Sequence, residues 1–539
     1  MRKIVECVPN FSEGRDKKII DEIAKAIKET AGCTLLDVDP GASTNRTVYT
    51  FVGDPDSVVI GAFNAAKKAK ELIDMRKHKG EHPRMGALDV CPFVPVANVT
   101  MEECVECAKK FGKRAGDELG IPVYLYEEAS NVDYRKKLPQ IREGEYEGFK
   151  EKIYKPEWKP DFGPQEFIPE WGATVTGARF FLIAYNVNIY GTHNQAHRIA
   201  LDLREIGRNQ GVPGIFHEVK AMGWWVAEYN TAQISANLTN YIVSPPHLFY
   251  EECKNIAKTI NVGVGGSEIV GLVPLQAMLT AADYYIEQEN LFIIDERQKV
   301  QLVIDRLGLN SVQLFNPKKK IIEYIVQEQP NEPLANLTTR GFIEAVSDRT
   351  SAPGGGSASA LIASVGVGLG CMVSRLTQGV RKFEDVEDKM RHIIPTLYQT
   401  SNKLIPMIDA DTNAFNDYLE AFRLPKETKE QQAVRDEKMQ EGLKKAIEVP
   451  LTTMRLGDSA WDALLECARY GNIASKSDIE VGAKALETGI WGAHKNVLIN
   501  MPGIKDEKLK KEKLAEAEEI LKRANEKLGE LLEILNMRD

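Results

Sequence analysis

The chain predicts a multidomain protein: two ferredoxin-like α/β subdomains built on βαββαβ repeats, followed by an all-α helical-bundle domain. Three observations carry this. Its 539 residues exceed one ordinary domain of roughly 100 to 200 residues several times over. Strand and helix patterns alternate in the same order twice before residue 327. After the Pro330–Pro333 stretch strand signals nearly vanish, and helical periodicity runs to the end.

The first repeat reads as strand Lys3–Cys7, helix Arg15–Glu29, strands Cys33–Val38 and Arg46–Val52, helix Asp56–Asp74 and strand Leu88–Val94, with helix Met101–Leu119 and strand Val123–Tyr126 after it. A crossing segment, Lys155–Pro164, is rich in proline and aromatic residues and poor in periodicity. The second repeat reads as strand Phe180–Val187, helix His193–Gly207, strands Gly214–Val219 and Gln233–Tyr241, helix His247–Ile260 and strand Ile269–Val273, then a helix opened by Pro274. Each half predicts a sheet covered by helices on one face, with a ligand groove between the sheets. The domains are 1–178, 179–326, a linker 327–336, and a helical domain 337–539. In the last helix Leu514, Ala517, Leu521, Ala524, Leu528, Leu531 and Leu535 form a seam, read either as a contact between subunits or as docking on its own domain.

Charged residues at 27% and hydrophobic ones at 43% are ordinary for a soluble globular chain. A net charge of -9 gives no global field for nucleic acid. The N-terminal apolar run is broken by Glu6 and Pro9 and does not read as a signal peptide. The most apolar window, Ala358–Val373, is full of Gly, Ala and Ser, which suits close helix packing rather than insertion into a membrane. Eight scattered cysteines fit reduced thiols in a cytoplasm, and the Cys104/Cys107 pair fits a buried helix face better than a redox or zinc site.

Gly80-Glu81-His82-Pro83-Arg84-Met85-Gly86-Ala87-Leu88-Asp89 packs a histidine, an arginine and an acid into a segment too broken for a helix. His82 is the acid/base candidate, because an imidazole with a pKa of ~6.5 both takes and returns a proton near neutrality; a packed histidine is the competing reading. Arg84 suits a substrate carboxylate, or an ion pair with Glu81 or Asp89. Asp39 and Asp89 are candidates to orient the imidazole. His78 and His82, and His193 and His197, have the spacing of a helical metal pair; glycine and proline break the first helix and no third ligand accompanies the second, so no metal is expected.

Farther on, Gly354, Gly355 and Gly356 precede an apolar helix, and either let backbone N–H groups approach a ligand or simply make a tight turn. Asp409 and Asp411 read as a solvated helix face; in a dry cleft Asp411 would have a raised pKa and shuttle protons. Asn496 and Asn500, one turn apart, are polar candidates whose simpler reading is helix packing.

These residues carry a resemblance. Leu35–Asp39 with Ser43–Tyr49, His78–Phe93, Trp171–Arg179, Ala352–Ser357 and Gly471–Ala474 make the chain resemble bifunctional formimidoyltransferase-cyclodeaminases over essentially its whole length. The resemblance implies transfer of the formimino group of N-formimino-L-glutamate to N5 of tetrahydrofolate, then closure to 5,10-methenyltetrahydrofolate with release of ammonia. That belongs to histidine degradation and one-carbon metabolism. It implies His82 as the transferase acid/base and Asp411 as that of the cyclodeaminase. Folate binding falls to Gly163, Pro164, Gln165, Glu166, Phe167, Ile168, Pro169, Glu170, Trp171 and Gly172, with Asp39, Arg84, Gly354, Gly355 and Gly356 as further substrate contacts. Tetrahydrofolate, polyglutamylated, enters as a substrate, no metal is implied, and the expected state is a cytoplasmic homo-oligomer. The alternative is a transferase whose helical domain only assembles subunits or retains the intermediate.

Overall fold

A computed structural model describes residues 3–42, 44–80, 83–208, 211–326 and 332–538, so His82, Glu81 and the first half of the expected linker lie outside it. The chain divides into two units, Met1–Gln327 and Glu328–Asp539.

The first unit opens with β1 (Ile4–Cys7), β2 (Asn10–Phe11), β3 (Thr34–Gly41), β4 (Arg46–Gly53) and β5 (Leu88–Ala97), joined by α1 (Lys17–Lys28) and α2 (Pro55–Leu72). β1 and β2 lie end to end, both antiparallel to β4 on one side and β5 on the other, and β3 flanks β4. The order β3-β4-β1-β5 is the expected ferredoxin-like one. After α3 (Met101–Leu119) come β6 (Val123–Glu127), α4 (Leu138–Arg142), α5 (Glu145–Lys152) and β7 (Thr174–Ala178); β7 and β6 extend the sheet beyond β5 in parallel. β7 is unexpected because all five of its residues are buried, so no alternation marks it as a strand. Asp54, Thr100 and Asp16 cap the three long helices through their side chains. Cys104 and Cys107 sit buried on α3, the latter with its Sγ against Pro55 O at 3.4 Å, and burial pushes the Cys107 thiol up to about 12. They belong to helix packing.

The second sheet contains β8 (Ile183–Tyr190), β9 (Val219–Val226), β10 (Thr231–Leu238) and β11 (Gly263–Val270), in the order β11-β8-β10-β9 and antiparallel throughout. This is the same arrangement again. α6 (His193–Leu203), α7 (Pro246–Thr259), α8 (Leu275–Gln288) and α9 (Glu296–Arg306) accompany it, followed by the short turns α10 (Pro317–Lys320) and α11 (Ile322–Ile325). β9 starts five residues later than expected, because Gly214 is packed against the Arg204 carbonyl at the end of α6, and 214–217 run as loop. β11 starts six residues earlier. Its glycines hid it: Gly265 and Gly266 form a bulge whose φ of +113° at Gly266 lets the strand pass Ser311.

Ile4, Val52, Val94 and Val96, on the outer face of the first sheet, share one hydrophobic cluster with the core of the second subdomain. Glu6 lies on that face, opposite Val52 on β4 and Val94 on β5, and is 5% exposed. Burial, against the pull of Arg179, raises its pKa to about 7.

The second unit is helical: α12 (Thr339–Ser347), α13 (Gly355–Thr377), α14 (Glu387–Leu404), α15 (Met407–Phe422), α16 (Lys429–Asp458), α17 (Trp461–Tyr470), α18 (Lys476–Asn500) and α19 (Glu507–Asn536). α13 has the length and apolarity of a membrane span, yet 61% of its most apolar window is buried inside the domain. The reason is its small residues. A Cβ on Gly366 would stand 2.6 Å from Gly482 O, and one on Gly489 2.6 Å from the Ala363 Cβ, so α13 and α18 cross almost backbone to backbone. α19 docks on its own domain through Ala517, Ile520, Ala524, Leu531 and Leu535, with Arg455–Glu516 and Arg523–Asp458 ion pairs flanking the seam.

Candidate active sites

The first site surrounds the segment between η-turn Met75–Lys77 and β5. Gly80 packs on the Thr44 carbonyl so closely that no side chain fits there. Next to it the backbone carbonyl of Asn45 receives a hydrogen bond from His78 Nε2 at 2.8 Å. A carbonyl only accepts, so Nε2 carries the proton and Nδ1 is left as an acceptor. Arg84 Nε–H donates to that Nδ1 at 3.2 Å. Burial, and the Arg84 charge beside it, keep the His78 pKa below its ordinary value despite its bond to Asn45, so this relay runs through a neutral ring.

Arg84 is 7% exposed, and its other donors point to the first turn of α5. Nη1 donates to Glu145 Oε2 and Glu147 Oε2, both at 3.0 Å, and Nη2 to Glu147 Oε1 at 2.6 Å. Its ion-pair partners among the described residues are thus these two, sixty residues away, and not Asp89. Asp89 is fully buried and committed elsewhere: it accepts from the Met85 amide at 2.8 Å and pairs with Arg142. Asp39 is exposed on β3. Between His78, Arg84 and Glu147 opens a cleft of about 750 Å³, with Arg76 and Lys79 at its rim.

The run Gly163–Gly172 is divided. Gly163, at φ +79°, packs where α3 ends, against Gly116 and the Ile121 carbonyl. Its far end reaches the cleft's wall: Tyr146 donates to Pro169 O at 2.5 Å, Met75 N–H donates to Glu170 O at 3.0 Å, and Glu170 pairs with Arg76 at 2.7 Å. Trp171 is buried with its Nε1 on Thr174 at 3.0 Å, and Gly172, at φ +79°, lies against Met85 O. Pro164 through Phe167 lie between, with Gln165 bonded to Ile153 O at 2.9 Å and the Phe167 ring 5.6 Å from that of Tyr146.

The second site is in the helical unit. Gly354 caps α13 and Gly355 and Gly356 form its first turn. The Asp411 carboxylate rests on Gly356, where a Cβ would overlap both oxygens; a Cβ on Gly355 would meet Asn496 Nδ2 at 3.5 Å. Burial raises the Asp411 pKa, offset in part by hydrogen bonding to the Ser357 amide and hydroxyl. Ser357 also donates to Ile408 O at 2.7 Å and lies 3.0 Å from Thr412 Oγ1. Asp409 is not a solvated acid: it is 4% exposed and accepts from the Leu334 and Ala335 amides at 2.8 and 3.0 Å. Asn496 and Asn500 spend amide hydrogens on the carbonyls of Gly492, Asn496 and Ala446, as helix-packing residues do.

Comparison with known families matches residues 4–179 to the formiminotransferase domain, N-terminal subdomain, 184–327 to the formiminotransferase domain, and 338–519 to formiminotransferase-cyclodeaminase. A formimidoyltransferase-cyclodeaminase of Dictyostelium discoideum is 61% identical over 540 residues, covering all of both chains. The chain belongs to the formimidoyltransferase-cyclodeaminase family. The formimidoyltransferase-cyclodeaminase of Gallus gallus is 52% identical over the same span, and a glutamate formimidoyltransferase of Streptococcus pyogenes serotype M1 is 43% identical over 292 residues, 54% of this chain and 95% of its own. Members therefore exist that span only the first unit. What sequence reasoning missed is the partners: His78, Glu145 and Glu147 around Arg84, and Ser357 and Thr412 around Asp411. The Gly144-Glu145 pair offered a faint signal, since a glycine followed by an acid at φ +53° marks a sharp turn.

Proposed function

We infer that this chain is a bifunctional enzyme: it transfers the formimino group of N-formimino-L-glutamate to N5 of tetrahydrofolate and cyclises the product to 5,10-methenyltetrahydrofolate, releasing ammonia. The observation that carries the inference is identity of 61% across the full length of a formimidoyltransferase-cyclodeaminase, with each unit matched separately.

In the first reaction N5 attacks the formimino carbon, and the bond to the glutamate nitrogen breaks. The proton that N5 loses is, in net, the one that nitrogen gains, so a single imidazole serves both steps. His82 is our candidate for it. Arg84, already oriented by His78, is our candidate for a substrate carboxylate, and the Gly163–Gly172 stretch, whose far end backs the cleft, is our candidate for folate contact.

In the second reaction N10 attacks the same carbon and nitrogen departs as ammonia, which takes the N10 hydrogen and one further proton. A carboxyl group that holds its proton beyond the usual aspartate range is suited to supply it, and Asp411, half-buried on α15 against the first turn of α13, has that character. Gly355 and Gly356, in the first turn of α13 beside Asp411, have N–H groups without helical partners and suit an electron-rich ring or carboxylate. The alternative, a transferase with a helical domain for assembly, is disfavoured by Asp411 itself, since assembly needs no half-buried acid with a raised pKa set against the first turn of a neighbouring helix.

The reading extends to a cytoplasmic homo-oligomer that accepts polyglutamylated folate. Eight unpaired thiols support the compartment. Exposed Ile362, Val365, Met372 and Leu376, one stripe of α13, support self-association. Lys444, Lys445, Lys510 and Lys513 around one slot support an anionic tail.

The test is a coupled assay on purified protein, following glutamate, ammonia and the methenyl product. Asp411→Asn should stop the methenyl product and spare glutamate release, and His82→Ala should do the reverse while still cyclising supplied 5-formiminotetrahydrofolate. Loss of both activities in either variant would sink the assignment of separate sites.

A further inference from the structure

Arg84 is held by a partner of unequal standing. Its side chain is 9% exposed, whereas that of Glu147 is 64% exposed and that of Glu145 42%. The cation is fixed and the anions stand in solvent. Displacing Glu147 would leave the guanidinium where it is, because Nε–H is tied to His78 Nδ1 and His78 to Asn45 O. The chain around Glu147 would also stay, because the Tyr146 amide donates to Arg84 O at 2.8 Å.

The bond Glu147 makes is the paired, two-oxygen contact with which arginine takes any carboxylate. Its side chain is, atom for atom, the side chain of the glutamate that the transferase releases. The cleft opening beside it, about 750 Å³, has room for a substrate of that size, and Lys79 stands exposed at its rim, while the Arg76 charge there is met by Asp74 and Glu170.

Resting on the transferase reading above, we propose that Glu147, assisted by Glu145, is a built-in stand-in for the substrate: it occupies the Arg84 subsite until a carboxylate of N-formimino-L-glutamate displaces it. An exposed partner binds weakly enough to give way, yet it keeps a desolvated guanidinium from standing unpaired between turnovers. The apparent affinity for the substrate is then set by competition within the molecule, and small anions lacking a second binding group are kept off Arg84.

Glu147→Gln in the full chain tests this, read by the KM for N-formimino-L-glutamate and by calorimetric binding of L-glutamate, with the KM for tetrahydrofolate as internal reference. With the competitor removed, the first KM should fall and L-glutamate bind tighter, each by about two- to fivefold. Glu145→Gln should shift both in the same direction by less. An unchanged or raised KM together with unchanged glutamate binding would overturn the proposal and leave Glu147 as a clamp on α5. If the unaltered protein releases no glutamate from the substrate, the transferase reading fails; the calorimetric comparison still decides the stand-in, since glutamate binding either tightens in the variant or does not.

Discussion

The carboxylate of Asp411 and the backbone of Gly356 occupy adjoining space with no room for a methyl group between them. The two residues are 55 positions apart, on α15 and the first turn of α13, and the contact fixes where the acid points. Gly356→Ala must push Asp411 aside or unwind the turn. We expect cyclodeaminase activity to fall by about 100-fold, as displacement of a reacting group by an ångström does, with glutamate release retained. Equal methenyl formation by the variant would remove Gly356 from the site.

Glu6 makes the stability of the first unit depend on pH. Its folded pKa of about 7 stands above the usual value near 4.5, so the folded state keeps a proton that the unfolded chain gives up. The sign follows: the stabilising proton is present below pH 4.5 and lost as pH rises to 7, at a cost of about 3 kcal/mol at most. Glu6→Gln should therefore unfold at higher denaturant than the unaltered protein at pH 8, with the gap closing by pH 4. A gap independent of pH would show that Glu6 is not titrating there.

His78→Leu leaves the Arg84 Nε–H without its acceptor in a buried place. An unsatisfied buried donor costs about 1–3 kcal/mol, and Arg84 should turn to recover a partner. The KM for N-formimino-L-glutamate should rise about tenfold or more, while cyclisation of supplied 5-formiminotetrahydrofolate stays at its normal rate. His78→Gln, which offers an acceptor, should recover part of the loss.

Gly366→Ala puts a methyl group 2.6 Å from Gly482 O at the α13–α18 crossing. Overpacking of this kind costs about 1–3 kcal/mol. Thermal unfolding of the helical unit should shift down, and methenyl formation should lose its tolerance to heat before glutamate release does.

Strand order in both sheets was legible because helices and half-buried strands carry different periods. β7, buried on both faces, carries no alternation and has no counterpart in the sequence reading, and the glycines of β11 hide the first six residues of that strand. The site residues divided in the same way. Arg84 and Asp411 stand out as candidates by type and setting, but the carboxylates facing Arg84 and the glycine turn under Asp411 come from segments about sixty and fifty-five residues distant. The sequence reads Asp89 as a candidate to orient an imidazole and Asp409 as a solvated acid, and only the fold shows each engaged, by Arg142 and by two backbone amides.

The two sheets share one strand order, yet only the first was extended, by β6 and β7, and only it gained α4 and α5. The plan that both sheets share sets the shape of each subdomain, and the added strands lie in the first alone. Among the described residues, every partner of the Arg84 guanidinium other than His78 comes from that added stretch. The surroundings of that guanidinium thus lie outside the shared four-strand plan: a chain cut back to it would lose the carboxylates that face Arg84 and, with them, one wall of the cleft.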